Sequence, residues 1–445
     1  FELGTSLVIA LSKQNKVNTT FKSVKRIILI GLGSQSADTG ELRKAYAALI
    51  RTAKAHNAEK LAIWEPEDSA LAAETSILIN YEFTKYKKID PKKPAGLKEV
   101  KLYDSKTSAS IKKEVKKSVI IAESTCLARD LVWEPACVVT PSYLAIEAKK
   151  IKAKNIKVII KEAADCKKLG MGAFLAVAQG ADEPPKFIEI TYLPTGKIKK
   201  HIALVGKGVT FDSGGLSLKP AKAMEMMKED MSGSAAIIGI MNAISQLQPT
   251  GIQITAIIAA TENMPSGKAY RPGDVITAMN RKTIEVNNTD AEGRLTLADA
   301  VAYASTKNPD EIIDFATLTG ACIVALGNAA AAIMSNDERL TQDLKNSASQ
   351  TGELLWQLPL FEEYKESLKS TIADLINAGS KGKAGAQNGA LFIQEFIGNK
   401  KGSNEQIPWA HFDIAGPCWF DRDMDWSPQG ASGIPVRTIL NYILN

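Results

Sequence analysis

Three stretches of this chain gather acidic and basic side chains in a way that solvated surface charge does not explain. The first runs from Gly206 and Lys207 through Asp212, Ser213, Gly214 and Gly215 to Lys219-Pro220. The second is Lys228-Glu229-Asp230-Met231, and the third is Asn287-Asn288-Thr289-Asp290-Ala291-Glu292-Gly293-Arg294-Leu295. If Asp212, Asp230, Asp290 and Glu292 share one crevice, their charges repel unless cations neutralise them, which divalent metal ions do. Acids at alternate positions 290 and 292 point into one site when the segment is extended. Oxygen-rich ligation accepts magnesium, manganese, cobalt or zinc, so the donors alone do not choose the ion. Two ions about 3.5–4 Å apart would activate a bridging water for attack on a carbonyl or a phosphate ester. Local explanations compete: Asn288-Thr289-Asp290 suits a helix N-cap, and Asp212–Gly215 suits a plain loop. Jointly they do not explain why Lys207, Lys219 and Arg294 accompany the acids.

Other chemistries are excluded by what is missing. Gly31-Leu32-Gly33 and Gly206-Lys207-Gly208 lack the third glycine of a dinucleotide fingerprint and read as tight turns. No Gly-Lys-Ser/Thr phosphate loop and no Gly-x-Ser-x-Gly elbow occurs. His56, His201 and His411 are too dispersed for a histidine-rich zinc site and are expected to be structural. Cys126, Cys137, Cys166, Cys322 and Cys418 show no paired spacing, which predicts buried thiols in a reducing compartment.

The elements that must position these residues alternate between strand and helix. Val24–Gly31 and Leu61–Trp64 read as strands, and Glu41–His56 and Ser69–Ile79 as helices. That alternation predicts a small α/β domain with a largely parallel sheet over 1–110. Residues 84–108 read as surface loop and edge strand, and 111–137 as a connecting helix and linker ended by Pro135. A larger α/β catalytic domain with a mixed central sheet is expected over 138–445. Its strands are predicted at Ile156–Ile160, Phe187–Tyr192, Ile202–Thr210, Ile252–Ala260 and Ile312–Ala316, and helices at Ser232–Leu247 and Leu295–Tyr303. In an open α/β sheet, functional groups collect at the carboxyl ends of the strands.

With 445 residues, 45% apolar and 23% charged, the chain has the composition of a globular protein of two or three domains. The longest apolar stretch, Leu318–Met334, is broken by Thr319, Gly320, Gly327 and Asn328, so no membrane span is expected. Phe1–Leu11 lacks a basic leader and a cleavage pattern, so no signal peptide is expected either. Net charge is +6, divided as +8 over residues 1–150 and −2 over the rest. The basic third admits a DNA-binding role, although the clusters Lys85–Lys88, Lys92–Lys93 and Lys112–Lys117 are interleaved with Glu and Asp and favour a solvated surface.

The runs Gly206–Pro220, Lys228–Gly233 and Asn288–Leu295 resemble the signature segments of the leucyl (cytosol) aminopeptidase family of di-metal peptidases. Ala316-Thr317-Leu318-Thr319-Gly320 and Trp409–Gly416 add to the likeness, which spans the chain from about residue 130 onward. The resemblance implies a cytoplasmic enzyme that removes leucine and other apolar residues from free peptide N-termini through a hydroxide bridging two metal ions. It implies that Asp212 and Glu292 bridge both ions, that Lys207 as a neutral amine and Asp230 complete the tighter site, and that Asp290 completes the more exchangeable one. Manganese or zinc is expected ahead of cobalt or magnesium. Lys219 would stabilise the oxyanion, and Arg294 would hold a bicarbonate-like anion as proton shuttle. Met227, Thr317 and Gly320 would line the pocket for the first side chain, and Leu318 would support the substrate backbone. A homohexamer is implied as well. A di-metal phosphoesterase, or DNA binding by the basic third beside the peptidase activity, remain the alternatives.

Overall fold

The computed structural model describes residues 3–10, 24–32, 38–88, 96–379 and 382–445; Gly33 and Lys92–Lys93 lie outside the described residues. The chain forms two compact units, Phe1–Glu123 with Arg422–Gln429, and Ser124–Asp421 with Gly430–Asn445.

In the first unit, β1 (Ser6–Ala10) pairs antiparallel with β2 (Arg26–Ile30), and β3 (Lys60–Trp64) pairs parallel with β4 (Glu99–Tyr103). The expected largely parallel sheet is therefore, among the described residues, two separate ladders. β1 was not anticipated, and it runs against the first predicted strand. Helix Thr39–Ala55 starts at a reciprocal cap, in which Glu41 N–H donates to Asp38 (2.8 Å) and Asp38 N–H donates to Glu41 (3.0 Å). Asp68 caps helix Ser69–Asn80 by accepting from Leu71 N–H at 2.9 Å. Ala47, Ile50, Ala53, Ile79 and Leu97 form its core. Several of its lysines are paired: Lys60 and Lys101 with Glu99 (both 3.2 Å), and Lys98 with Glu59 (3.1 Å).

The second unit is built on one sheet. Its strands are β5 (Ile156–Lys161), β6 (Lys186–Tyr192), β7 (Lys200–Asp212), β8 (Ile252–Asn263), β11 (Glu311–Ala316), β12 (Ala330–Ser335), β13 (Leu354–Gln357) and β15 (Trp409–Asp413). Three short strands, β9 (Val275–Thr277), β10 (Thr283–Glu285) and β14 (Leu375–Ile376), form a ladder of their own. The large sheet has the order β13-β12-β15-β11-β7-β8-β6-β5. Its middle, β15-β11-β7-β8, is parallel, while β6 adds antiparallel to β8, β5 antiparallel to β6, and β12 runs antiparallel to β15. The sheet is mixed, as expected.

Both faces are buried. On one, Ala203 and Val205 join Leu297, Val301 and Phe392 in the main core. On the other, Gly206 meets helix Ser232–Leu247 so closely that a Cβ would lie 2.6 Å from Gly233 O. Gly233 in turn leaves no room, since its own Cβ would fall 2.2 Å from Phe315 O. Gly206-Lys207-Gly208 is thus not a turn. It lies inside β7; Gly206 lets the helix pack closely, while a Cβ at Gly208 would meet Ile258 and Ala259 of β8.

Candidate metal centre

The parallel strands deliver the site at their carboxyl ends. Asp212 ends β7, Asn263 ends β8, Thr317 follows β11 and Asp413 ends β15. Two more acids come from crossover connections, Asp230 just before helix Ser232–Leu247 and Glu292 at the N-terminus of helix Gly293–Ser305. Side-chain oxygens of Asp212, Asp230 and Glu292 all lie within 4.8 Å of one another, and all three residues are buried.

Two lysines thread this cluster. Lys207 Nζ donates to Asp230 Oδ1 (2.5 Å) and to Thr317 O (2.9 Å), and lies 2.9 Å from Glu292 Oε1. Lys219 Nζ lies 2.9 Å from Asp212 Oδ2 and also pairs with Asp290. Gly293 makes Lys207's place possible, because a Cβ there would meet its Nζ at 2.7 Å. The expectation that 290 and 292 alternate along an extended segment does not hold. Residues 289–290 form a turn and Glu292 is helical (φ −75°, ψ −37°), so a bend directs both acids inward. Nor does Asp290 cap a helix: Glu292 occupies the N-cap position.

The charges respond to one another. Burial pushes Asp212 up to about 6, Glu292 adds to the rise, and Lys219 and Lys207 oppose it. Burial likewise raises Asp230 and Asp290. Glu292 ends below the ordinary range, because Lys207 and Lys219 outweigh its burial. Burial works against the Lys207 ammonium, yet Asp230, Glu292 and Asp212 hold its proton more firmly than usual. Lys207 thus sits among three carboxylates as their counter-cation.

The donor set fits divalent cations. Four carboxylates face two ammonium groups, and Asp230 Oδ2 is buried without a hydrogen-bond partner. Arg294 is buried as well, with Nη1 on Asn377 O (2.9 Å) and Nε unpartnered; burial draws its pKa down to about 10 against the pull of Glu292 and Asp413.

The remaining predicted residues lie around this centre. Met227 opens the one-turn helix Met227–Glu229 and accepts from Asp230 N–H at 3.5 Å. Thr317 Oγ1 donates to Asp230 Oδ1 (2.8 Å). Leu318 N–H donates to Asp413 (3.2 Å), and Gly320 is exposed, with open space where a Cβ would stand.

Three supporting residues gain a role only in the fold, although Asp413 lies within the Trp409–Gly416 run. Asp413 holds the Thr317–Gly320 turn through Leu318 N–H and Thr319 Oγ1 (2.6 Å). Asn377 joins Asn288 O (2.7 Å) to Arg294. Asn263 touches Asp212 at 2.8 Å. Lone amides and acids of this kind occur throughout any sequence, and only the fold singles them out. The cysteines depart from expectation too: all are free thiols, but only Cys166, Cys322 and Cys418 are buried, whereas Cys126 is half-buried and Cys137 exposed.

A mixed α/β sheet with buried carboxylates converging at its strand ends defines a metal-binding enzyme of the open-sheet class. The profile of the cytosol aminopeptidase family, catalytic domain, matches residues 126–440, and that of the family's N-terminal domain matches residues 12–90. A probable cytosol aminopeptidase of Prochlorococcus marinus (strain AS9601) is 46% identical over 435 residues, covering 95% of this chain and 86% of its own length. One of Persephonella marina is 45% identical over 432 residues, covering 94% and 85%. Among solved structures, a tomato leucine aminopeptidase mutant superposes with a TM-score of 0.87 at 37% identity, covering 100% of this chain and 84% of that one. The bottromycin maturation enzyme BotP in complex with Mn gives a TM-score of 0.87 at 32% identity, covering 99% and 93%. The chain belongs to the cytosol aminopeptidase family. It is a metal-dependent aminopeptidase acting on peptides, and the phosphoesterase alternative has no support in these relationships.

Proposed function

We propose that the enzyme releases leucine and other apolar residues from peptide N-termini, using two divalent ions held by Lys207, Asp212, Asp230, Asp290 and Glu292. The observation that carries this reading is the convergence of Asp212, Asp230 and Glu292 within 4.8 Å, threaded by Lys207 and Lys219. Asp212 and Glu292 would serve both ions, Lys207 and Asp230 would hold the tighter one, and Asp290 the more exchangeable one. When bound, such ions supply an activated water and polarise the scissile carbonyl. Manganese and zinc are the leading ions; the manganese complex of BotP supports the former.

The chain's own groups do the rest. Lys219, kept charged by Asp212, Glu292 and Asp290 against its burial, donates to the carbonyl oxygen as that oxygen gains negative charge. Arg294, with its buried unpartnered Nε, suits a bicarbonate-like anion that carries the proton from water to the leaving amine. Met227, Thr317 and Gly320 line the pocket for the first side chain, and Leu318 supports the substrate backbone. One methylene discriminates by only about 1–3 kcal/mol, so specificity is broad. The enzyme acts in the cytoplasm as a homohexamer. No helix among the described residues is long and apolar enough to cross a membrane. DNA binding rests on the charge of the first third alone; absence of duplex binding at low salt would end it.

Asp290→Asn and Glu292→Gln are each expected to abolish leucine release from a chromogenic leucyl anilide. Chelation is expected to do the same, with activity returning on addition of manganese or zinc. A fully active acid variant, or an enzyme indifferent to chelation, would refute the reading.

A further inference from the structure

Asp212 and the Asp290–Glu292 turn come from segments about eighty residues apart, yet one side chain touches both. Asn263, the last residue of β8, lies opposite Asp212 in the β7–β8 register, beyond a β-bulge between Val209 and Asp212. It is completely buried. Its Nδ2 donates to Asp212 Oδ1 (2.8 Å) and to Thr289 O (3.0 Å). Both neighbours are acceptors, so the amide has only one workable orientation. Its Oδ1 is left buried without a partner, facing Gly215, where a Cβ would come within 2.9 Å of it. An unsatisfied buried carbonyl is destabilising, a burden that plain packing gives no reason to keep.

Asp212 Oδ1 also accepts Gly214 N–H at 2.8 Å. Two protein donors therefore occupy that oxygen, and Oδ2 is the one turned to the cationic side, where Lys219 lies at 2.9 Å. The backbone of Asn263 reinforces this: its carbonyl accepts Ser213 N–H (3.0 Å) and Ser213 Oγ (2.6 Å), holding the residue after Asp212 in place. The turn has its own second anchor, because Tyr270 O–H donates to Thr289 O at 2.8 Å. Asp212 has no comparable side-chain substitute on Oδ1.

We infer that Asn263 is a positioning residue for the metal centre: its amide spends both N–H bonds fixing Asp212 Oδ1 and the Thr289 carbonyl, so that Asp212 presents Oδ2 to the cations. This rests on the metal-centre reading above. Groups that orient ligands in this way typically contribute 10–100-fold in metal affinity.

The test is Mn²⁺ titration of metal-stripped protein, at a temperature where circular dichroism shows every variant folded. Asn263→Leu keeps the branched outline of the side chain and removes both donors. Leu344→Ala, in the buried face of helix Glu338–Thr351, serves as a control for general destabilisation. The expected result is a 10–100-fold weaker Mn²⁺ dissociation constant for Asn263→Leu. Leu344→Ala should lower the melting temperature with Mn²⁺ affinity within threefold of wild type. If Asn263→Leu does not fold, Asn263→Ser, too short to reach Asp212, replaces it with the same expected loss. A folded Asn263 variant with wild-type affinity overturns the inference while leaving the metal centre intact. Failure of the wild type itself to bind Mn²⁺ would instead strike the underlying reading.

Discussion

At the residue scale, the site is a problem in charge balance. Asp212, Asp230, Asp290 and Glu292 face Lys207 and Lys219 in a space largely closed to water, where each uncompensated charge is costly. The acids and lysines that converge here were legible because such residues rarely cluster at strand ends without chemistry. Specificity belongs to this scale as well. Gly320 begins helix Gly320–Leu326 with open space where a Cβ would be, so a side chain there is tolerated by the fold. If it lines the pocket, Gly320→Leu should reduce kcat/KM for leucyl substrates at least tenfold while sparing alanyl ones. Equal loss on both, or on neither, counts against that pocket.

Elements hold these residues through close approach. Gly206 and Gly233 let helix Ser232–Leu247 sit directly on β7 and β11, which sets where Asp230 enters the centre. Gly233→Ala introduces a Cβ 2.2 Å from Phe315 O and should cost about 1–3 kcal/mol by overpacking, read as a lowered midpoint in urea. An unchanged midpoint would show that the contact yields freely. Far from the centre, β5, β6 and helix Gly293–Ser305 are joined by Glu189. Burial alone would raise its carboxyl, but Tyr303 O–H (2.6 Å) and Lys161 (3.0 Å), with Lys307, bring it down to about 2. A depressed carboxyl stabilises the fold above its ordinary value of 4.5 and loses that contribution as pH falls towards 2. Glu189→Gln should therefore melt earlier than wild type at neutral pH. The gap should close between pH 4.5 and 2; a gap independent of pH would assign the effect to packing.

For the whole molecule, the proposed hexamer makes a simple prediction. β13 ends the large sheet with Leu354 and Trp356 exposed, and Val324 is 89% exposed on helix Gly320–Leu326. An edge strand carrying large apolar side chains invites burial by another chain. Light scattering on the purified enzyme should give a mass about six times the 47.9 kDa chain. A mass near one chain at micromolar concentration would remove the hexamer from the proposal.

Local pattern decided much in advance. Runs of β-branched residues set β5 to β8 and β11, and helical spacing set Ser232–Leu247, because period and propensity act over neighbours in the chain. The acid and lysine clusters announced a cationic centre for the same reason: each lies within one short segment. What required the folded molecule were relations between segments. The antiparallel placing of β1, the burial of Gly206-Lys207-Gly208 inside a strand, the bend that turns Asp290 and Glu292 inward, and the contact of Asn263 with Asp212 all depend on which strands become neighbours. That choice is made by packing across the whole sheet, and no window of sequence contains it.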